Sequence, residues 1–415
     1  MIANLPIARS PAVRGFFLAA SAITIAIMFW AHAMQVSGDS RGFSPIFFLL
    51  FTRYDYPAAS ALLLVLLASI FVSDSAPLRR IVHWLGTHPG TTAIAVAVIL
   101  SAGTLVVYRN HPVSMDEYAA LFQSRVFAAG HITGRFPPQL LNWLIPGHFQ
   151  DDFLDVSRAT GHVVSAYWPT FSLLMTPFTW LGIPWACNPV ISALTVLALH
   201  RLAMLTFEDP AAAGLVVLLT LASPVFFADG ISFYSMPAHL LANCVYAVLL
   251  VRPTRARALA AGVVGSIALT LHNPIPHLLF ALPWLYWIAR RKDGARLFAW
   301  LCVGYLPLCL ALGAGWFALT SHLMHSGVAP HAAAAGGGWR NIMSAFGLPD
   351  SALLRARVVA LAKIWLWATP GLLLLACAGA WRWRRHPICR LLVDSAALTF
   401  VGYLFVPFDQ GHGWG

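Results

Sequence analysis

The chain has 415 residues, of which 59% are hydrophobic and 10% charged, with 16 Trp and only 15 Asp plus Glu. This composition excludes an ordinary soluble domain and predicts repeated membrane-spanning helices, each needing about 17–25 apolar residues. The formal charge of +11 comes from arginines that flank apolar runs, as in loops beside an anionic leaflet, and no separate basic domain points to nucleic acid.

Arg9 and Arg14 precede an apolar run from Phe16 to Trp30, and Ala31-His32-Ala33 then resembles a signal-peptidase site. The run is long for a signal segment, so an uncleaved anchor is expected, with the N-terminus in the cytoplasm. Hydropathy places eleven spans near 15–36, 57–73, 91–108, 188–205, 211–227, 238–252, 257–272, 275–290, 296–316, 357–380 and 391–407. Cations then collect in alternate loops at Arg79 and Arg80, at Arg252, Arg255 and Arg257, at Arg290, Arg291 and Lys292, and at Arg382, Arg384, Arg385 and Arg390. Those loops are expected to face the cytoplasm. The Pro-interrupted segment from Tyr167 to Trp185 would invert this order if it crossed, so it is read as re-entrant or interfacial. The predicted architecture is an all-α polytopic membrane protein, with a two-span hairpin over 1–90 and a core over 91–415. Loops 109–187 and 317–356 would lie outside the cytoplasm. All six cysteines lie in or beside apolar runs without a C-x-x-C pair and read as small buried hydrophobes.

The first large outer loop carries the adjacent acids Asp116 and Glu117, unusual in so acid-poor a chain. Tyr118, Leu121, Phe122, Arg125 and Val126 recur at three- and four-residue steps, which predicts an amphipathic helix at the membrane interface that stops at Gly130. Ser114 with Glu117 three residues on forms a capping box, which accounts for Glu117 and not for Asp116. A carboxylate at the membrane edge is suited to act as a general base.

Asp116-Glu117-Tyr118 through Gly130, Tyr167-Trp168-Pro169-Thr170 through Leu174, and Asn188-Pro189 through Leu202 resemble motifs of membrane glycosyltransferases of the GT-C fold. The likeness is to the bacterial aminoarabinose-transferase and protein O-mannosyltransferase group, and it covers about residues 91–230. Trp168 and Thr170 depart from its Pro and Gly, and two extra spans precede its first. The resemblance implies an inverting transferase that takes sugar from a polyprenyl-phosphate donor on the outer face of a bacterial inner membrane. It implies Asp116 as base and Glu117 as its partner.

Outer cations are the natural phosphate partners: Arg125, Arg355, Arg357 and Lys363, with Arg135, Arg158 and Arg340 as further candidates. Asp151, Asp152 and Asp155, with His148 and His162, could hold a divalent cation, although their spacing matches no metal motif and a solvated acidic loop is the simpler account. His272 through His277, and Phe233 through His239, read as interfacial turns that could wall the site. The Gly-rich end around Asp409, His412 and Trp414 suggests a truncated coding sequence. The competing readings are a transporter or flippase of lipid-linked glycans, and a non-catalytic membrane assembly protein. A transporter would place more ionisable groups in mid-membrane than these spans carry.

Overall fold

Backbone in hydrocarbon must satisfy its own hydrogen bonds, so apolar runs of this length fold as helices. The computed structural model describes residues 11–38, 48–49, 52–53, 55–71, 76–325, 350–367 and 371–405, and they are mostly helical. In chain order the first helices are α1 (Pro11–Ser37), α2 (Asp55–Ser69), α3 (Ala76–Thr87), α4 (Pro89–Val106) and α5 (Met115–Ala128). A small lobe follows, with β1 (Gly134–Arg135), the single turn α6 (Leu141–Leu144), β2 (Leu154–Val156) and β3 (His162–Ser165). Then come α7 (Thr170–Trp180), α8 (Cys187–Phe207), α9 (Pro210–Leu221), α10 (Pro224–Gly230), α11 (Met236–Val251), α12 (Arg255–Leu269) and α13 (Ile275–Ala289). The last are α14 (Gly294–Leu308), α15 (Trp316–His325), α16 (Ser351–Trp367), α17 (Leu372–Arg382) and α18 (Pro387–Leu404).

Each of the eleven expected spans has helical counterparts, but most are too short to cross alone. Among the described residues, five segments are long and apolar enough: α1, α4, Pro184–Phe207, Gly294–Met324 and α18. A sixth is counted if α9 and α10, bent by 68°, make one span. Between 17% and 39% of each of the five is buried within the protein, so most of this apolar surface faces outward, as an integral membrane protein requires. Helices α2, α11 and α13 have 15, 16 and 15 residues, or about 22–24 Å at about 1.5 Å per residue, against a hydrocarbon layer of about 30 Å. Punctuation shortens them. Prolines open α11 and α13, and the run predicted over 357–380 breaks at Gly371, whose φ of +88° leaves the helical region. The 11-residue α7 spans only about 16 Å, too little for a crossing.

Glycines permit close helix crossings. A Cβ on Gly262 of α12 would collide with the Leu301 carbonyl of α14, and one on Gly304 with the Leu259 carbonyl. The backbones approach this closely because neither glycine has a side chain, the mode by which helices pack in lipid. Around this crossing lies the main apolar core, centred on the fully buried Tyr246, Leu250, Trp284 and Ile288.

The loop after α5 contains an antiparallel three-stranded sheet in the order β1-β3-β2, with Gly134 opposite Val163 and Asp155 opposite Val164. The all-α expectation is therefore corrected here. These strands have two to four residues, too few to leave a readable alternation. Helix α5 is not the one-faced amphipathic helix expected. Glu117, Ala119, Ala120, Leu121, Gln123, Ser124 and Val126 are all buried, because α5 is covered on two sides. Ala119 packs into the lobe with Leu141, Leu154 and Val163, whereas Ala120 and Leu121 pack on the helical body with Phe171, Cys187 and Phe233.

Candidate functional site

Adjacent residues on a helix lie about 100° apart. On α5 that angle sends the two acids to different partners. Positions 116, 119 and 123 face the lobe, whereas 117, 120, 121 and 124 face the helical body.

Glu117 is built into the fold. Ser114 caps α5 in extended conformation and its Oγ accepts from Glu117 N, while Glu117 Oε2 accepts from the backbone N–H groups of Ser114 and Val113, each at 3.0 Å. Glu117 Oε1 accepts from Phe233 N at 2.8 Å, in the turn between α10 and α11. The Tyr108 phenol lies against the same carboxylate. The side chain is fully buried. Across that turn, Asn188 Nδ2 of α8 donates to the carbonyls of Ser232 and Tyr234, each at 2.8 Å. Glu117 thus clamps three segments and presents no open oxygen to a substrate, although it was expected beside Asp116 in the site.

Asp116 is half-buried and turned the other way. Its Oδ1 accepts a hydrogen bond from the Tyr167 hydroxyl. Among the described residues, its Oδ2 has no hydrogen-bond partner. Tyr167 is delivered there by a chain of contacts that begins on α5 itself. The buried Gln123 donates to Ile132 O at 2.8 Å and accepts from Ser165 N at 3.0 Å, which fixes β3. Ser165 Oγ then accepts from Tyr167 N at 3.2 Å. Ser172 Oγ donates to Ala120 O at 3.1 Å and holds α7 against α5. From the other side, Thr170 N donates to Thr270 O at 3.2 Å and the two threonine hydroxyls meet at 2.6 Å. This brings His272 onto Tyr167, with ring centroids 4.1 Å apart.

The surroundings keep these groups neutral. Burial, then the charge of Asp116 and its hydrogen bond, push the Tyr167 phenol well above the usual tyrosine range. Tyr234, near Ser114, is pushed up to about 12 mainly by burial, with the Ser114 hydrogen bond opposing and Glu117, Asp116 and Asp229 adding. Burial holds the His272 imidazole below its ordinary value, with Asp116 opposing. Tyr167 is therefore a protonated donor at neutral pH and His272 an uncharged ring. What remains is one carboxylate oxygen, fixed in direction, beside phenols and a neutral imidazole.

The candidate cations lie elsewhere. Arg125 is exposed near the far end of α5, nine residues and roughly 13 Å along the axis from Asp116. Arg135 and Arg158 are exposed on the lobe, where Arg158 donates to Gln150 at 3.1 Å. Arg357 is half-buried on α16, which packs mainly against α1, α2 and α18. Arg340 and the side chains of Arg355 and Lys363 lie outside the described residues, as does the stretch with Asp409, His412 and Trp414.

The acids of the lobe do not converge. Asp155 sits in β2, Asp151 has a left-handed φ of 68°, and His162 Nδ1 meets Thr133 Oγ1 at 2.7 Å. Among the described residues, no three His, Cys, Asp or Glu side chains are grouped to hold a metal ion. In the second His cluster, His277 meets Asn243 Oδ1 and Tyr305 Oη at 2.7 Å each, as a satisfied core histidine does.

No protein-family model matches the chain, and neither does any curated protein. The site must therefore be argued from its own chemistry. Of its members, Tyr108 and Asp229 carried no signal in the sequence, while Tyr167, Tyr234 and His272 stood in motifs whose meeting point no local spacing encodes.

Proposed function

We propose that the chain is a GT-C-like membrane glycosyltransferase that moves a sugar from a polyprenyl-phosphate donor to an acceptor on the extracytoplasmic face of the bacterial inner membrane. The observation that carries this reading is the divided carboxylate of Asp116. One oxygen is engaged by Tyr167 and the other is without a partner among the described residues, on a helix packed against the long apolar segment Pro184–Phe207. A lipid-linked donor has its headgroup fixed at the membrane boundary by its tail, and on this reading the base lies at the same depth.

In the reaction, Asp116 Oδ2 takes the proton from an acceptor hydroxyl or amine as that atom attacks the anomeric carbon. The bond from that carbon to the phosphate oxygen breaks with its electron pair, and polyprenyl phosphate leaves with inversion at the sugar. General-base assistance of this kind contributes about 10²–10⁴-fold.

The test is the full chain in native membranes, screened with labelled polyprenyl-phosphate sugars, against Asp116→Asn at equal abundance. Asn keeps the acceptor for Tyr167 and loses the base. Transfer by the wild type that disappears in the variant supports the reading; equal transfer by both removes Asp116 from the mechanism.

A further inference from the structure

We infer that Tyr167 is a positioning residue that locks the Asp116 carboxylate so that Oδ2 alone is presented to the acceptor, an inference resting on the transferase reading. A half-buried aspartate on the first turn of a helix can swing about χ1 and exchange its two oxygens by rotation about χ2. The Tyr167 hydroxyl removes that freedom by donating to Oδ1. The donor is itself held at three points. Its backbone N–H is bonded to Ser165 Oγ, its ring lies on His272, and the segment just after it is pinned to Thr270 through Thr170. Two loops separated by about a hundred residues in sequence therefore converge on one phenol, whose only polar atom is aimed at the candidate base. An anchor serving only to fasten the loops could leave that hydroxyl toward water.

Tyr167 does not touch the reacting atoms in this scheme. It acts through Asp116, so its loss should lower the rate of the chemical step and leave donor binding alone. Misplacement of a reacting group by about 1 Å costs on the order of a hundredfold, and a carboxylate freed to rotate is misplaced only part of the time. The expected loss in kcat for Tyr167→Phe is about ten- to a hundredfold at unchanged KM for the donor. Phe retains the ring and its packing on His272. In an Asp116→Asn background the same change should cost nothing further, because the base it positions is gone.

A second measurement does not depend on transfer. With 3-fluorotyrosine placed at 167 in the full chain in lipid nanodiscs, the fluorine resonance should move on Asp116→Asn and stay in place on Asp209→Asn, the N-cap of α9, which accepts from Ala211 N. A resonance indifferent to Asp116→Asn, or a Tyr167→Phe enzyme with wild-type kcat, overturns the inference. A coupled resonance in a chain that transfers no sugar from any donor leaves the positioning intact and sinks the transferase reading instead.

Discussion

Glu117→Gln separates the structural acid from the proposed base. The wild-type carboxylate accepts three backbone N–H groups, from Val113, Ser114 and Phe233, while fully buried. Glutamine keeps the shape but offers one acceptor oxygen. If that oxygen stays on Val113 and Ser114, the amide nitrogen faces Phe233 N–H, donor against donor. Leaving a buried donor unsatisfied costs about 1–3 kcal/mol, and the two surviving bonds lose their charge assistance, together about 2–4 kcal/mol. Glu117→Ala strands all three donors. Val113 is exposed and Ser114 half-buried, so water recovers part of that loss, and a cost of about 4–6 kcal/mol is expected. Against a total stability of about 5–15 kcal/mol, the alanine variant should be close to unfolding. The assay is equilibrium unfolding in one detergent, followed by tryptophan fluorescence, with Asp116→Asn as the companion. That companion should stay within about 0.5 kcal/mol of wild type, since Asn Oδ1 still accepts from Tyr167 and Asn is tolerated in the first turn. If Glu117→Gln unfolds like wild type while Asp116→Asn is destabilised, the division of labour derived above is wrong.

Two further outcomes follow from the packing and the buried imidazole. Gly304→Val should force α12 and α14 apart, since its Cβ meets the Leu259 backbone, and the cost should exceed about 2 kcal/mol; a surface glycine with open space, Gly379→Val, should unfold close to wild type. Burial lowers the His272 pKa below 6.5, so between the folded value and 6.5 the unfolded chain binds the extra proton. Stability contributed by keeping His272 neutral is therefore complete above pH 6.5 and is lost as pH falls toward the folded value. The loss of stability measured from pH 7 down to pH 5 should be smaller in His272→Gln than in wild type, and an unchanged slope would mean that His272 is not held neutral by the fold.

Much of the helical layout was legible because hydropathy is a local property. Every predicted apolar run contains helix, and the capping box of Ser114 and Glu117 was readable at a spacing of three residues and is present. The stop at Gly130 was readable too, since a φ of +77° there suits glycine. Span number was overestimated because hydropathy sums across breaks: Gly371 divides one apolar run into two helices, and a window does not register that turn. The sheet in the loop after α5 was missed because its strands are held by pairing to one another and by Gln123, not by a pattern of their own.

By itself, then, the sequence determined the membrane class, where helices begin, and that Asp116 and Glu117 open one of them. Only the tertiary structure decided what each acid meets. Glu117 meets Phe233 and Asp116 meets Tyr167 across separations of 116 and 51 residues, and His272 reaches the site from another loop. Capping depends on neighbours three residues apart and can be read along the chain. The filling of a carboxylate's remaining lone pairs depends on which loops the packed helices bring together, and no spacing along the chain encodes that.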